Sequence, residues 1–188
     1  MLFRSGAADL ASGSIRVVAA GGGAAPVPLV VFSFQPATVT VTEAGVPVTP
    51  GSAFRMYAEQ SAASKISTGL AISNATATAG TVTLSLTALD GSTIASTSTP
   101  LNLPASGQIV AFLDQLIPSL AGQTFQGVLR VTTTASNISV VGLRGRTNER
   151  GDFLITTTPA TVETSTPANA ARYFPHLVNG DGYTTQII

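Results

Sequence analysis

The 188-residue sequence has no cysteine, no tryptophan, one histidine and one lysine. The absence of cysteine excludes disulfides, thiol catalysis and cysteine-ligated zinc. Only 10% of the residues are charged, where about 25% is typical of soluble domains, and nine basic residues balance nine acidic ones. This balance lacks the basic footprint of a nucleic-acid-binding protein, so no nucleic-acid partner is expected. No apolar run reaches the roughly 18 residues of a membrane-spanning helix, so no membrane insertion is expected.

The chain is instead rich in apolar residues, at 44% of the total, and in threonine, with 26 residues. This composition excludes a disordered polyelectrolyte and suits half-buried strands. Residues 81–87 alternate strictly between polar and apolar types, and the Asp90-Gly91 pair that follows predicts a hairpin turn. The remaining predicted strands span residues 54–59, 68–73, 93–101, 127–133, 138–144 and 153–157.

Apolar residues between positions 109 and 120 recur at three- and four-residue spacing. This spacing predicts a short helix, with Ser106 as its N-cap and Pro118 at its end. The predicted fold class is therefore all-β: an immunoglobulin-like antiparallel β-sandwich with one short helix between strands.

The sequence also resembles itself. Residues 36–39 and 159–162 are both Pro-Ala-Thr-Val, 123 positions apart, and residues 15–19 resemble 138–142 at the same offset. Such periodicity is typical of tandem repeats. The alternative is that a chain rich in threonine, alanine and valine resembles itself by chance.

Residues 67–71 resemble 184–188 as well, with an aromatic segment upstream of each. We therefore predict a piece of a tandem array. Residues 1–9 are a scar or disordered, 10–44 the tail of a preceding repeat, 45–165 a complete sandwich, and 166–188 the opening strands of a truncated following repeat. Exposed strands at 173–177 and 183–188 would favour a strand-mediated homo-oligomer.

Three segments carry a family resemblance: STGLAISN at 67–74, GQIVAFLD at 107–114 and VVGLR at 140–144. They resemble a repeated immunoglobulin-like β-sandwich module of large secreted or surface proteins of environmental bacteria. The resemblance covers most of residues 27–188. It implies an extracellular, multi-repeat bacterial parent whose partners are neighbouring repeats, and it brings no catalytic residue. Proline-containing segments at 158–160 and 166–168 are the predicted joints between repeats.

Five of the 18 charges lie within nine residues, at Arg144, Arg146, Glu149, Arg150 and Asp152. Arginine forks bind carboxylates and sulfates, so this cluster is the candidate binding patch, with an extracellular acidic glycan as its partner. The competing interpretation is that these charges solvate a turn and pair with one another. The binding hypothesis predicts that replacing all three arginines abolishes binding and leaves the melting temperature nearly unchanged. Asp152 leads directly into a predicted strand, which disfavours integrin recognition of the Arg150-Gly151-Asp152 tripeptide.

No other constellation supports chemistry. His176 lies in the truncated third repeat, and residues 179–182 are predicted to form a turn because a calcium loop needs further acids. Tyr57 is predicted to face the core and Lys65 to lie exposed in a loop. We therefore predict no catalytic residue, no metal site and no cofactor.

These observations favour a non-enzymatic structural, spacer or adhesive module of a repetitive extracellular bacterial protein. Two alternatives stay open. The first is a carbohydrate- or ligand-binding sandwich that uses the arginine-rich loop. The second is a hydrolase with an unrecognised site, for which a deep cleft gathering Asp114, Glu149 or His176 would be needed.

Overall fold

A computed structural model describes residues 13–24, 28–35, 39–47, 49–163, 171 and 173–187. These residues contain thirteen strands, one four-residue α-helix and two 3-10 turns. The strands are β1 (Val30–Phe34), β2 (Thr42–Val46), β3 (Pro50–Gly51), β4 (Ala53–Gln60), β5 (Ile66–Asn74), β6 (Gly80–Ala88), β7 (Thr93–Ser96), β8 (Leu101–Leu103), β9 (Gln108–Phe112), β10 (Phe125–Thr133), β11 (Ile138–Thr147), β12 (Phe153–Pro159) and β13 (Thr161–Val162). The helix is α1 (Leu113–Leu116), and the 3-10 turns are Ala20–Gly22 and Pro118–Leu120.

Two antiparallel sheets pack face to face. Sheet I has the strand order β13-β4-β10-β6-β7, with β8 also paired to β6. Sheet II has the order β12-β11-β5-β9, with β3 paired to β11. The predicted all-β antiparallel sandwich is confirmed, and the immunoglobulin-like topology stays a prediction.

The core lies between the two sheets and follows the alternation of each strand. From sheet I, the buried side chains include those of Phe54, Met56, Val82, Leu84, Leu86, Leu129 and Val131. From sheet II, they include those of Leu70, Ile72, Ile138 and Val140. The strict alternation of residues 81–87 therefore marks β6 correctly, and Gly91 takes the positive φ of 87° that the predicted Asp90-Gly91 turn needs.

The helix is shorter than predicted. Ile109 and Val110 belong to β9, where they pair with Ile72 and Ala71 of β5, so only Leu113–Leu116 is α-helical. Ser106 is not the cap but lies in the turn before β9, and Pro118 opens a 3-10 turn instead of ending the helix. The β-branched residues pair with an existing strand, and this tertiary pairing outweighs the helical spacing.

Two further expectations about segments are wrong. Residues 93–101 form two strands, β7 and β8, instead of one. Pro159 pairs with Val141 at the end of β12 and Ala160 is buried in the core, so residues 158–160 carry the chain from sheet II to sheet I within the sandwich. They are not a joint between repeats. The second predicted joint, at 166–168, lies outside the described residues.

The segment 173–187 contains no strand, so the opening strands predicted there are not found in the described part of the chain. It does form the predicted turn, closed by backbone hydrogen bonds between Gly180 and Tyr183. At the other end, β1 and β2 form a separate antiparallel hairpin, and β2 lies along β12, the edge strand of sheet II. The domain boundaries stay predictions.

Candidate functional site

Arg144 and Arg146 both lie in a strand, because β11 continues to Thr147, three residues beyond its predicted end at Arg144 and into the predicted arginine-rich loop. The ladders that join β11 to both neighbouring strands show no register shift, so alternate residues share a side of the sheet. The two arginines are therefore on the same side as Ile138 and Val140, the side that faces sheet I. The inner face of β11 changes from apolar residues to arginine as the strand leaves the core.

Arg144 joins the two sheets through Glu59 of β4. Its Nε donates a hydrogen bond to Glu59 Oε1, and the Tyr57 hydroxyl donates to Glu59 Oε2 over 3.2 Å. The Glu59 side chain is only 11% exposed and that of Arg144 is 35% exposed. The Thr68 hydroxyl also bonds the backbone N–H and C=O of Glu59, which fixes this corner of the sandwich.

Tyr57 does not face the core, contrary to the prediction. On β4 the buried apolar residues are Phe54, Met56 and Ala58, so Tyr57 lies on the alternate face and is half-buried. Burial, followed by the charge and hydrogen bond of Glu59, raises the pKa of Tyr57. The phenol therefore stays protonated and keeps donating to Glu59 at neutral pH.

Arg146 has a different environment. Its Nη2 donates to Glu149 Oε1 over 2.5 Å, and the Glu149 side chain is 82% exposed. A hydrogen bond from its own backbone amide, followed by the charge of Arg146 and more weakly that of Lys65, lowers the pKa of Glu149. Lys65 is exposed, as predicted, and lies across a shallow cavity from Arg146.

The turn between β11 and β12 is organised around Asn148, which is buried. Its side-chain oxygen accepts the backbone N–H groups of Arg150 and Asp152 at 3.0 and 2.9 Å, and its amide donates to Asp152 Oδ2. Arg150, with 83% of its side chain exposed, forms an ion pair with Asp152 at 3.3 Å. Asp152 is thus held against the sheet, where β12 begins one residue later.

The structure divides the five predicted patch residues among three places: Arg144 with Glu59, Arg146 with Glu149, and Arg150 with Asp152. They do not form one continuous basic surface. Because Arg144 holds a nearly buried carboxylate, replacing all three arginines would also weaken the fold. The triple variant should therefore melt at a lower temperature than the wild type, contrary to the expectation from the sequence.

Sequence reasoning missed a second charged cluster, on the outer face of sheet I. Arg55 and Arg130 lie directly opposite each other on β4 and β10, and Glu163, just beyond β13, binds both, with Nε-to-carboxylate distances of 2.9 and 2.8 Å. Hydrogen bonds from Arg130 and then Arg55 lower the pKa of Glu163. The three residues are 33 to 108 positions apart, so no local pattern could have grouped them.

Among the described residues, no group of three or more His, Asp or Glu side chains is placed to hold a metal ion. His176 is exposed and forms no hydrogen bond or ion pair within that part of the chain. None of the helices in the described ranges has the length and apolarity to cross a membrane.

No protein-family model matches the chain, and no curated protein or solved structure was found to be similar to it.

Proposed function

We propose that this chain is a non-enzymatic structural module, a spacer or adhesive unit of a repetitive extracellular bacterial protein. The observation that carries the proposal is the docking of the hairpin β1–β2 on the free edge of the sandwich. The extracellular and bacterial parts of the proposal rest on the resemblance of segments 67–74, 107–114 and 140–144 to repeated surface modules.

The start of the hairpin supports the assignment of β1 to a preceding repeat. β1 begins at Val30 and β12 begins at Phe153, which is the same 123-residue offset that relates the two Pro-Ala-Thr-Val segments. Residues 15–19, which this offset equates with the start of β11, are not a strand. The 123-residue offset is therefore matched by the strand β1 and not by residues 15–19.

The contact between the hairpin and the sandwich uses side-chain hydroxyls in place of a β-ladder. The Thr42 hydroxyl donates to the Ile155 carbonyl over 2.9 Å and accepts the Ile155 N–H over 3.1 Å. The Thr157 hydroxyl donates to the Gly45 carbonyl over 2.7 Å. An uncovered strand edge promotes unwanted pairing, and one threonine here satisfies both backbone groups of Ile155. Such a contact would set the spacing between neighbouring units without fusing their sheets.

Replacing Thr42 with valine tests this joint. Thr42→Val in the full chain should raise the hydrogen-exchange rate of the Ile155 amide about tenfold, because that amide loses its acceptor. The radius of gyration in X-ray scattering should also increase as the hairpin leaves the edge. Core amides on β6 should be unaffected.

Thr156→Val is the matched control, since Thr156 is exposed on the same strand and is not part of the contact. Unchanged Ile155 exchange and scattering in Thr42→Val would refute the joint. Equal effects of the two variants would mean that the loss of any threonine near this edge, and not the loss of the Thr42 contact, changes Ile155 exchange and the scattering.

A further inference from the structure

A shallow cavity of about 320 Å³ lies between two loops at one end of the sandwich. One loop connects β4 to β5, and the other follows β11. The cavity is lined by Ala63, Ser64, Lys65, Arg146, Thr147, Asn148 and Glu149. Its volume is at the lower end of the range for small-molecule sites, about 300–1,000 Å³.

The cations of this cavity are incompletely paired. Lys65 forms no side-chain hydrogen bond or ion pair with any residue that the structure describes. The Nε atom of Arg146 is buried without a hydrogen-bond partner, although a buried donor is costly to leave unpaired. The Glu149 carboxylate accepts hydrogen bonds from Nη2 of Arg146 and from its own backbone amide, and the side chain is 82% exposed, so it leaves Lys65 unpaired and Nε of Arg146 unsatisfied.

The two loops are held in place before any ligand binds. The Thr147 N–H donates to the Lys65 carbonyl over 3.0 Å, which ties the loops together. Lys65 has a φ of 51°, a left-handed conformation that is unfavourable for a residue other than glycine. The hydrogen bonds of Asn148 fix the second loop. A prearranged site loses less conformational entropy when it binds a ligand.

We propose that this cavity is a binding site for a single oxyanion, a carboxylate or sulfate group, held between Lys65 and Arg146 after Glu149 swings away. An arginine that binds a carboxylate through Nε and Nη2 satisfies both donors at once, and the exposed Glu149 satisfies only one. The group could be carried by an acidic sugar or be a free inorganic ion. The site goes beyond the structural role proposed above and does not depend on the hairpin contact.

Titration of the isotopically labelled full chain, followed by NMR at the Arg146 Nε–H and the Lys65 amide, tests the proposal. The probes are sodium glucuronate and sodium sulfate, with neutral glucose as the control. We expect saturable shifts at both residues with at least one anion and none with glucose. Tighter binding of glucuronate would identify a sugar carboxylate, and tighter binding of sulfate would identify a sulfate group.

Single substitutions distinguish a specific site from general electrostatic attraction, because the two predict different changes in affinity. Lys65→Met and Arg146→Gln should each weaken binding about tenfold, as the loss of a charge-assisted hydrogen bond implies. Glu149→Gln should strengthen it, since the internal competitor is removed. Arg150→Gln and Asp90→Asn, matched charge changes outside the cavity, should leave the affinity unchanged.

Two results would overturn the proposal: no saturable shift with either anion, or equal weakening by Arg146→Gln and Arg150→Gln. Neither result bears on the Thr42 contact, so the two proposals fail separately.

Discussion

Arg144 and Arg146 are two positions apart on β11, and their surroundings give them different roles. Arg144 lies opposite Thr68 of β5 and Thr156 of β12, and it reaches across the sandwich to Glu59. Removing one member of a mostly buried ion pair leaves the other charge without compensation. Arg146 lies one step further from the core and faces the cavity at the end of the sandwich. The same residue type therefore stabilises the fold at one position and is available for binding at the next.

Arg144→Met should lower the free energy of unfolding by about 2 kcal/mol, less than for a fully buried pair because Arg144 is partly exposed. Urea denaturation measures this change. Arg150→Met is the matched control and should change stability by less than about 0.5 kcal/mol, as is usual for an exposed side chain.

The double variant Glu59→Gln with Arg144→Met should recover part of the lost stability, because no unpaired charge then remains. Equal destabilisation by Arg144→Met and Arg150→Met would show that Arg144 is not a structural residue.

At the scale of elements, β13 is a strand of two residues at the edge of sheet I. Only Thr161 and Val162 pair with β4, and both are exposed. The following residue, Glu163, adds a backbone bond from its N–H to the Ala53 carbonyl and the carboxylate contacts with Arg55 and Arg130. Without that carboxylate, the two arginines would face each other across adjacent strands, which is unfavourable.

Glu163→Gln should therefore reduce stability at pH 7, by at most about 1 kcal/mol for a surface network. Folding lowers the pKa of Glu163, so its contribution is complete above the unfolded-state pKa and is lost as the pH falls through the folded-state pKa. The difference in unfolding free energy between the wild type and Glu163→Gln should thus shrink at acidic pH.

Urea denaturation of both proteins over a pH series measures this difference, with Glu43→Gln, a carboxylate on β2, as the control. A difference that persists at the acid end of the series would show that the shape of Glu163 matters and not its charge.

At the scale of the whole molecule, the strands from β3 to β13 form the two sheets of the sandwich. The described residues of the C-terminal segment are exposed except for Val178, which is half-buried, and Tyr173 and Ile187 are 90% and 74% accessible. The hydrogen bonds that the structure shows for this segment stay within it, between Val178 and Thr185 and between Gly180 and Tyr183. The homo-oligomer stays a prediction, and the described part of this segment offers it exposed apolar side chains and no strand.

A chain ending at Glu163 should unfold at the same urea midpoint as the full chain, because the deleted described residues bury little surface. It should also associate less at high concentration in sedimentation velocity, since Tyr173, Phe174 and Leu177 are removed. A lower midpoint would show that the segment packs on the sandwich. Unchanged association would show that the chain associates with itself through a surface outside this segment.

The sequence by itself determined the class of fold and the strands β4, β5, β6, β10, β11 and β12. Alternation within β6 and the Asp90-Gly91 turn are local, and burial of every second residue follows from strand geometry alone. The exposed position of Lys65 and the turn at residues 179–182 could likewise be predicted from neighbouring residues in the sequence. These features needed no knowledge of which strands are neighbours.

Only the tertiary structure decided which charged side chains pair with each other. It also decided the conformation of segments whose local pattern fits more than one structure. Arg144 and Glu59 are 85 positions apart, and they meet because β11 and β4 face each other across the core. Ile109 and Val110 extend because β5 offers a free edge, and Pro159-Ala160 crosses between sheets because Ala160 fills the core. Sheet register and sheet stacking are long-range properties, and a pattern read along one strand does not contain them.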